Sequence, residues 1–355
     1  MSTKVSIQKI IEYLDRYIVG QSEAKLEVAS AIMVHVLNTI KCRSDMSFKP
    51  KKTNLLLMGP SGCGKTYILE KAAQFVGLPL LIINCKSLTN TGYVGTSIED
   101  YLSSFADELV STEKRMLPYT IVVLDEFDKM CLAMTDTGWT DSLQYSLLKI
   151  IEGCEICTRR SRPMNTHTML FLLAGSFEKM IKKRHEVKLN IGFSEDDREV
   201  ENIGSLHSEL INYGIVKELA GRIGAVAEIQ QLSEEELTAI LLHSENSIYS
   251  QYKDILKAVG YYWQLNDQEI KEVVGRALSH NIGARGLNCE VHNKAKHILK
   301  RVEVSLDDME KGYISKSALN SDGFMLFYSQ DPEKEMLVDD LHIDDDDPED
   351  GYNGN

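Results

Sequence analysis

Apolar runs of about five residues alternate with helix-like stretches through the first two-thirds of the chain, the pattern of a parallel sheet covered by helices. The runs predict strands at Asn54–Met58, Leu80–Asn84, Thr120–Leu124, Met169–Ala174 and Ala225–Ile229. Beyond Gln231 the pattern changes. Ser233 with Glu236, and Asn266 with Glu269, read as capping boxes that each open an amphipathic helix. The expected architecture is α/β, a P-loop domain over residues 1–230, followed by a small, mainly α-helical domain over 231–330. Gly323–Ser329 reads as a last strand. Residues 331–355 read as an acidic, disordered tail: after Lys334 there is no Lys or Arg, and such a run repels itself and has too little apolar surface to pack.

The decisive motif lies between the Asn54–Met58 run and the helical stretch that ends near Gly77. Gly59-Pro60-Ser61-Gly62-Cys63-Gly64-Lys65-Thr66 is G-x-x-x-x-G-K-T in a strand–loop–helix setting. Its glycines free backbone N–H groups to wrap phosphates, and the helix N-terminus adds the positive end of its dipole. Lys65 is expected to reach the β- and γ-phosphates of ATP, and the Thr66 hydroxyl to hold Mg²⁺. A second strand ends in Asp125-Glu126, which puts two carboxylates at the carboxyl edge of the sheet beside that loop. Asp125 is then the second Mg²⁺ ligand, and Glu126 orients or deprotonates the attacking water.

Composition adds exclusions. With 43% hydrophobic and 26% charged residues the chain reads as soluble and globular, and no stretch approaches the roughly 20 apolar residues of a membrane span. A formal net charge of −14 disfavours nonspecific binding to nucleic acid, which depends on clustered Lys and Arg. The N-terminus lacks a secretory h-region, so a cytoplasmic location is expected. The seven cysteines are odd in number and scattered, which argues against a disulfide framework; Cys154 and Cys157 have metal-ligand spacing without a second pair at zinc-finger distance.

From about Leu14 to Ser329 the chain resembles the AAA+ protein unfoldases of the ClpX and HslU family. The resemblance rests on the P-loop, on LDEFDKM around Asp125-Glu126, on LLKIIEG at 147–153, and on Gly92-Tyr93-Val94-Gly95, which is identical to that family's pore-loop signature. It implies that Ile18 and Val19 in YIVGQ contact adenine. It also implies that Arg222 in ELAGRIG is an arginine finger pointing into a neighbouring subunit's ATP, and that Arg285 in GARGL is a sensor 2 residue touching ATP in its own subunit. Tyr93 and Val94 then line a substrate channel, and Ile191-Gly192-Phe193 occupies the place of the loop that docks on a ClpP-like peptidase.

By that resemblance the protein is an ATP-dependent unfoldase and translocase, a homo-oligomeric ring of six subunits, acting on unfolded or tagged protein substrates. Its alternatives are a remodelling chaperone without a peptidase and, further off, a nucleic-acid-associated ATPase, whose basic pore loop the sequence does not offer. The departures are local. The family's four-cysteine zinc-binding N-domain does not stand in this sequence. The strand MLFLLAGSFE lacks the usual sensor 1 Asn or Thr and leaves Ser176 as nominee. Glu155–His167 is shorter than the corresponding family loop, with Arg159, Arg160 and Arg162 either replacing its basic residues or forming a solvated turn.

Overall fold

The computed structural model describes residues 4–45, 47–88, 96–108, 117–131, 139–157, 163–191, 206–303, 325–328 and 336–337. The chain divides into two units, Met1–Glu236 with Ile282–Ala284, and Leu237–Asn281 with Arg285 onward.

Ten strands are described: β1 (Asn54–Met58), β2 (Leu80–Asn84), β3 (Ile121–Asp125), β4 (Glu155–Cys157), β5 (Pro163–Asn165), β6 (Leu170–Gly175), β7 (Ile223–Glu228), β8 (Tyr261–Gln264), β9 (Met325–Tyr328) and β10 (Met336–Leu337). The first unit is built on a five-stranded sheet in the order β2-β3-β6-β1-β7, every pairing parallel. All residues of β1 and β6 are buried, as continuous apolar strands sandwiched between helices must be. Beneath the sheet, Phe127, Phe171 and Phe177 are fully buried, with the Phe177 ring 4.8 Å from that of Tyr213.

β1 and β2 have the bounds expected from their apolar runs. β3 and β6 are each displaced by one residue, and β7 begins two residues earlier and ends one residue earlier than expected; at the end of β3 backbone pairing continues past the change in side-chain polarity, where Asp125 still pairs with Asn84.

Three helices of this unit pack on one another: α1 (Ile7–Asp15), α2 (Ser22–Ser44) and α3 (Lys65–Val76). α1 is capped by the Ser6 hydroxyl, which accepts from Lys9 N. The turn between α1 and α2 is closed by the buried Lys25, whose Nζ donates to Ile18 O (2.6 Å) and Asp15 (2.6 Å).

The stretch read as a loop at Glu155–His167 contains a small antiparallel pair, β4 with β5, and Arg159, Arg160 and Arg162 lie outside the described residues. Thr166 anchors this excursion, its hydroxyl donating to Ile150 O (2.8 Å) and accepting from Cys154 N (3.0 Å).

In the second unit, helices Ile248–Ala258, Asp267–Ser279 and Arg285–Leu299 enclose a core that includes Leu256, Trp263, Val274 and Val291. The capping box expected at Asn266 is present: its side chain accepts from Glu269 N (3.0 Å), and Glu269 Oε2 accepts from Asn266 N (3.0 Å). At the end of the first unit, Ser233 and Glu236 make the same reciprocal pair at 3.2 and 2.9 Å.

This unit also holds a three-stranded sheet, β10-β9-β8, of which only β9 was expected. β8 is the aromatic run Tyr-Tyr-Trp-Gln, whose Trp263 ring packs edge-on to Tyr249 at 5.3 Å. β10 corrects the reading of residues 331–355 as wholly disordered: the apolar pair Met336-Leu337 breaks the acidic run and pairs antiparallel with Leu326 and Met325.

Candidate functional site

The P-loop joins the buried end of β1 to α3, and its conformation explains its glycines. Gly62 and Gly64 have φ of 78° and 91°, in the left-handed region where a side chain is strained. A Cβ on Gly62 would in addition stand 1.9 Å from Ile282 O. Ala284 N donates to Gly62 O at 3.1 Å, so Ile282–Ala284, which belong to the same unit, are tied to the loop. Cys63 is buried, which pushes its thiol up and leaves it a packing residue; a nearby backbone bond and Lys65 oppose that shift. Lys65 Nζ donates to the carbonyls of Gly59 and Pro60, both at 2.7 Å, so the ammonium lies over the mouth of the loop.

Thr66 and Asp125, 59 positions apart in the chain, meet: the Thr66 hydroxyl donates to Asp125 Oδ2 at 2.8 Å. The other carboxylate oxygen of Asp125 accepts from Glu126 N at 2.8 Å. Glu126 leaves β3 with φ of 55°, a left-handed conformation uncommon for a residue with a side chain, and this turns its carboxylate out of the strand line. There it meets Lys86, whose Nζ is 2.7 Å from Glu126 Oε2.

Ser176, at the end of β6, makes its bonds to a neighbour that sequence reasoning gave no role. Its hydroxyl donates to Asp128 Oδ2 at 2.8 Å and its N–H to Asp128 Oδ1 at 3.1 Å, while Lys129 Nζ lies 2.7 Å from Oδ2. Burial by itself would push the Asp128 carboxyl up, but the bonds from Lys129 and Ser176 outweigh it and hold the group below the usual carboxylate range.

Arg222 follows the short helix Lys217–Ala220, its N–H donating to Leu219 O at 2.9 Å. The buried Asn54 fixes this turn, its Nδ2 donating to Arg222 O (2.9 Å) while its Oδ1 accepts from Phe171 N (3.3 Å). The guanidinium points outward and donates from Nε to Glu152 Oε1 at 2.9 Å. The segments LLKIIEG and ELAGRIG thus meet in one ion pair.

Ile18 is buried and Val19 half-buried in the turn before α2. Adjacent Tyr17 faces Tyr67 of α3, ring centroids 6.5 Å apart, and Lys71 lies 4.4 Å over the Tyr17 ring, which brings the turn against the helix that follows the P-loop. Arg285 opens the helix Arg285–Leu299 of the second unit. Tyr93 and Val94 lie outside the described residues, as do Gly192 and Phe193. Ile191, expected in an exposed loop, is instead the last residue of the helix Glu178–Ile191, because the polar run through Lys188 and Asn190 continues the helix.

Lys86 and Glu152 are the partners that sequence reasoning missed around the expected residues. Lys86 carries no motif of its own, and Glu152 stands inside LLKIIEG without a role read for it; each partnership is revealed only by which strands and helices the topology makes neighbours.

Among the described residues no helix is long and apolar enough to cross a membrane. Residues 50–226 match the family described as AAA domain (Cdc48 subfamily). Along most of its length the chain is similar to proteins named ATP-dependent Clp protease ATP-binding subunit ClpX. That of Borrelia duttonii (strain Ly) is 30% identical over 342 residues, 88% of this chain and 78% of the relative. That of Treponema denticola is 29% identical over 305 residues, 79% of this chain and 73% of the relative. The Wolinella succinogenes ClpX 2 is 29% identical over 315 residues, 84% of this chain and 76% of the relative. With the P-loop, Asp125 and Glu126 brought to one sheet edge, these similarities place the chain in the ClpX family of AAA+ proteins, as an ATP-binding ATPase.

Proposed function

We propose that the protein is an ATP-driven unfoldase and translocase that assembles into a ring, hexameric as the resemblance implies, and delivers protein substrates to a ClpP-type peptidase in the cytoplasm. The observation that carries this reading is the meeting of Thr66 with Asp125-Glu126 beside the P-loop, in a chain that aligns over most of its length with proteins named as ATP-binding subunits of a Clp protease. The ATPase domain would comprise residues 1–230 and the small domain 231–330.

In this reading Lys65 and the backbone N–H groups of Ser61–Gly64 bind the β- and γ-phosphates. Thr66 and Asp125 supply a hydroxyl and a carboxylate, the hard oxygen donors that Mg²⁺ prefers, and their 2.8 Å contact fits that role. The ion neutralises charge on the phosphates when bound. Glu126 accepts the proton of the attacking water, and Arg222 of one subunit completes the site of its neighbour while Arg285 acts in its own. Ile18 and Val19 pack on adenine. Tyr93 and Val94 grip the substrate chain inside the ring, where their apolar surface is shielded from water.

Residues Ile191–Phe193 are assigned to peptidase docking. One Phe side chain filling a cleft contributes about 1.5 to 3 kcal/mol, which is weak alone. Several copies on one ring raise avidity about 10²- to 10⁴-fold. The test is degradation of a tagged, stably folded reporter by wild-type and Phe193→Ala rings with a cognate ClpP-like peptidase. Degradation by wild type and its loss in Phe193→Ala, with unfolding intact, is the expected result. Unfolding without degradation by either ring, and no binding of the peptidase, would replace this reading with that of a stand-alone remodeller.

A further inference from the structure

The helix Ile98–Glu108 starts two residues after Thr96, which bridges to Leu88. Its first turn is fixed by a reciprocal pair: Asp100 N donates to Ser97 Oγ at 3.2 Å, and Ser97 N donates to Asp100 Oδ2 at 3.1 Å. Asp100 is thus the capping carboxylate of this turn. The neighbouring Glu99 instead lines a cavity of about 270 Å³, mouth included, between this helix, the turn Phe127–Met130 and the helix Trp139–Glu152. The walls are apolar, made by Leu88, Ile98, Met130, Leu143 and Leu147.

The polar side chains in this lining are acceptors. Glu99 Oε2 is shielded from solvent and has no hydrogen-bond partner among the described residues. Ser146 Oγ donates its proton to Ser142 O at 3.1 Å, which leaves it lone pairs to offer. None of the described residues that line the cavity is basic. A carboxylate oxygen withdrawn from water without a counter-charge is costly, so the ligand that fits is a cation that donates hydrogen bonds. Two oxygen donors are too few for Ca²⁺ or Mg²⁺, and no aromatic ring stands among these lining residues to hold a quaternary ammonium. The inner end admits one group the size of a water molecule, which an ammonium head matches. We propose that this cavity binds a small primary alkylammonium ion, its head on Glu99 Oε2 and Ser146 Oγ and its carbon chain against the apolar walls.

The experiment titrates the full chain, carrying ¹³C-methyl methionine, with n-hexylammonium, n-butylammonium and the neutral 1-hexanol. The Met130 methyl resonance reports from the cavity wall, and a thermal melt checks the fold of each variant. Hexylammonium is expected to shift Met130 saturably. Butylammonium, shorter by two methylenes, should bind about 10- to 15-fold more weakly. Glu99→Gln removes the charged acceptor and should weaken hexylammonium binding about 10- to 100-fold while leaving the weaker binding of 1-hexanol unchanged. Ser146→Leu, which fills the cavity from another wall, should abolish the Met130 shift. Several outcomes overturn the proposal: no saturable shift of Met130, hexanol binding wild type as tightly as hexylammonium, or equal hexylammonium affinity in wild type and Glu99→Gln. Should Glu99→Gln fail to fold, unchanged hexylammonium affinity in Ser146→Leu overturns it in the same way.

Discussion

Truncating Arg222 to alanine separates the structural from the catalytic consequences of one side chain. The guanidinium is 53% exposed and its partner Glu152 42% exposed, and an ion pair in that much solvent contributes about 0 to 1 kcal/mol. The backbone at Arg222 is held independently, by the N–H bond to Leu219 O and by Asn54 Nδ2, and neither needs the side chain. Arg222→Ala is therefore expected to lower stability by less than about 1 kcal/mol, a fall in melting temperature of at most about 2 to 4 °C for a domain of this size. A finger supplied across an interface contributes about 10³ to 10⁵ in rate in other P-loop enzymes, so ATP turnover should fall by at least about 10³-fold. The assay is steady-state ATP hydrolysis under assembling conditions beside a thermal melt. Mixing Arg222→Ala with Lys65→Ala subunits adds a test of the trans geometry: each mutant is inactive alone, but a head-to-tail ring of equal parts has about a quarter of its interfaces complete, and activity should return in that proportion. Turnover within tenfold of wild type in Arg222→Ala, or no recovery on mixing two assembled mutants, refutes the assignment.

Two other predictions concern groups just outside the sheet strands, Asp128 after β3 and Lys52 before β1. Asp128→Ala removes the acceptor of two Ser176 bonds and the Lys129 contact, costing about 2 to 3 kcal/mol in denaturant unfolding. Because the Asp128 carboxyl is held below its unfolded value of about 3.9, its contribution is present above that pH and lost as pH falls through the folded value; the wild-type advantage over Asp128→Ala should shrink below about pH 4. A pH-independent difference would contradict this. Lys52 is the opposite case. Burial, opposed by Cys154, lowers it to about 8, although its Nζ donates to Ile151 O (2.7 Å) and Thr166 O (2.8 Å). Between about pH 8 and 10.4 the unfolded chain binds the extra proton, so the stability of wild type relative to Lys52→Met should rise with pH, by up to about 1.4 kcal/mol per unit. A flat difference would place Lys52 at an ordinary value.

Much of the site was legible because its chemistry is contiguous. The P-loop and Asp125-Glu126 are local runs at the ends of apolar strands, and period and polarity marked both. The pairs Lys86–Glu126, Arg222–Glu152 and Ser176–Asp128 were not legible, since each joins segments 40 or more residues apart through a parallel crossover that no local pattern encodes. The aromatic strand β8 was hidden by its four-residue length among helices, and β10 by the acidic composition around Met336-Leu337. Strand limits drifted where a polar residue such as Asp125 still satisfies the ladder, because hydrogen bonding follows the backbone while the sequence displays only the side chains.

The central claim, that ATP hydrolysis here pulls on polypeptides, is tested most directly by following the unfolding of a tagged, stably folded reporter while ATP turnover is measured in the same sample, for wild type and Tyr93→Ala. Losing one large apolar contact of about 1.5 to 3 kcal/mol in the gripping step slows unfolding about 10- to 100-fold. The account predicts unfolding by wild type only with hydrolysable ATP, and in Tyr93→Ala ATP turnover near wild type with unfolding slowed to that extent. ATP turnover without any unfolding by the wild-type ring, or equal unfolding by both proteins, would contradict it.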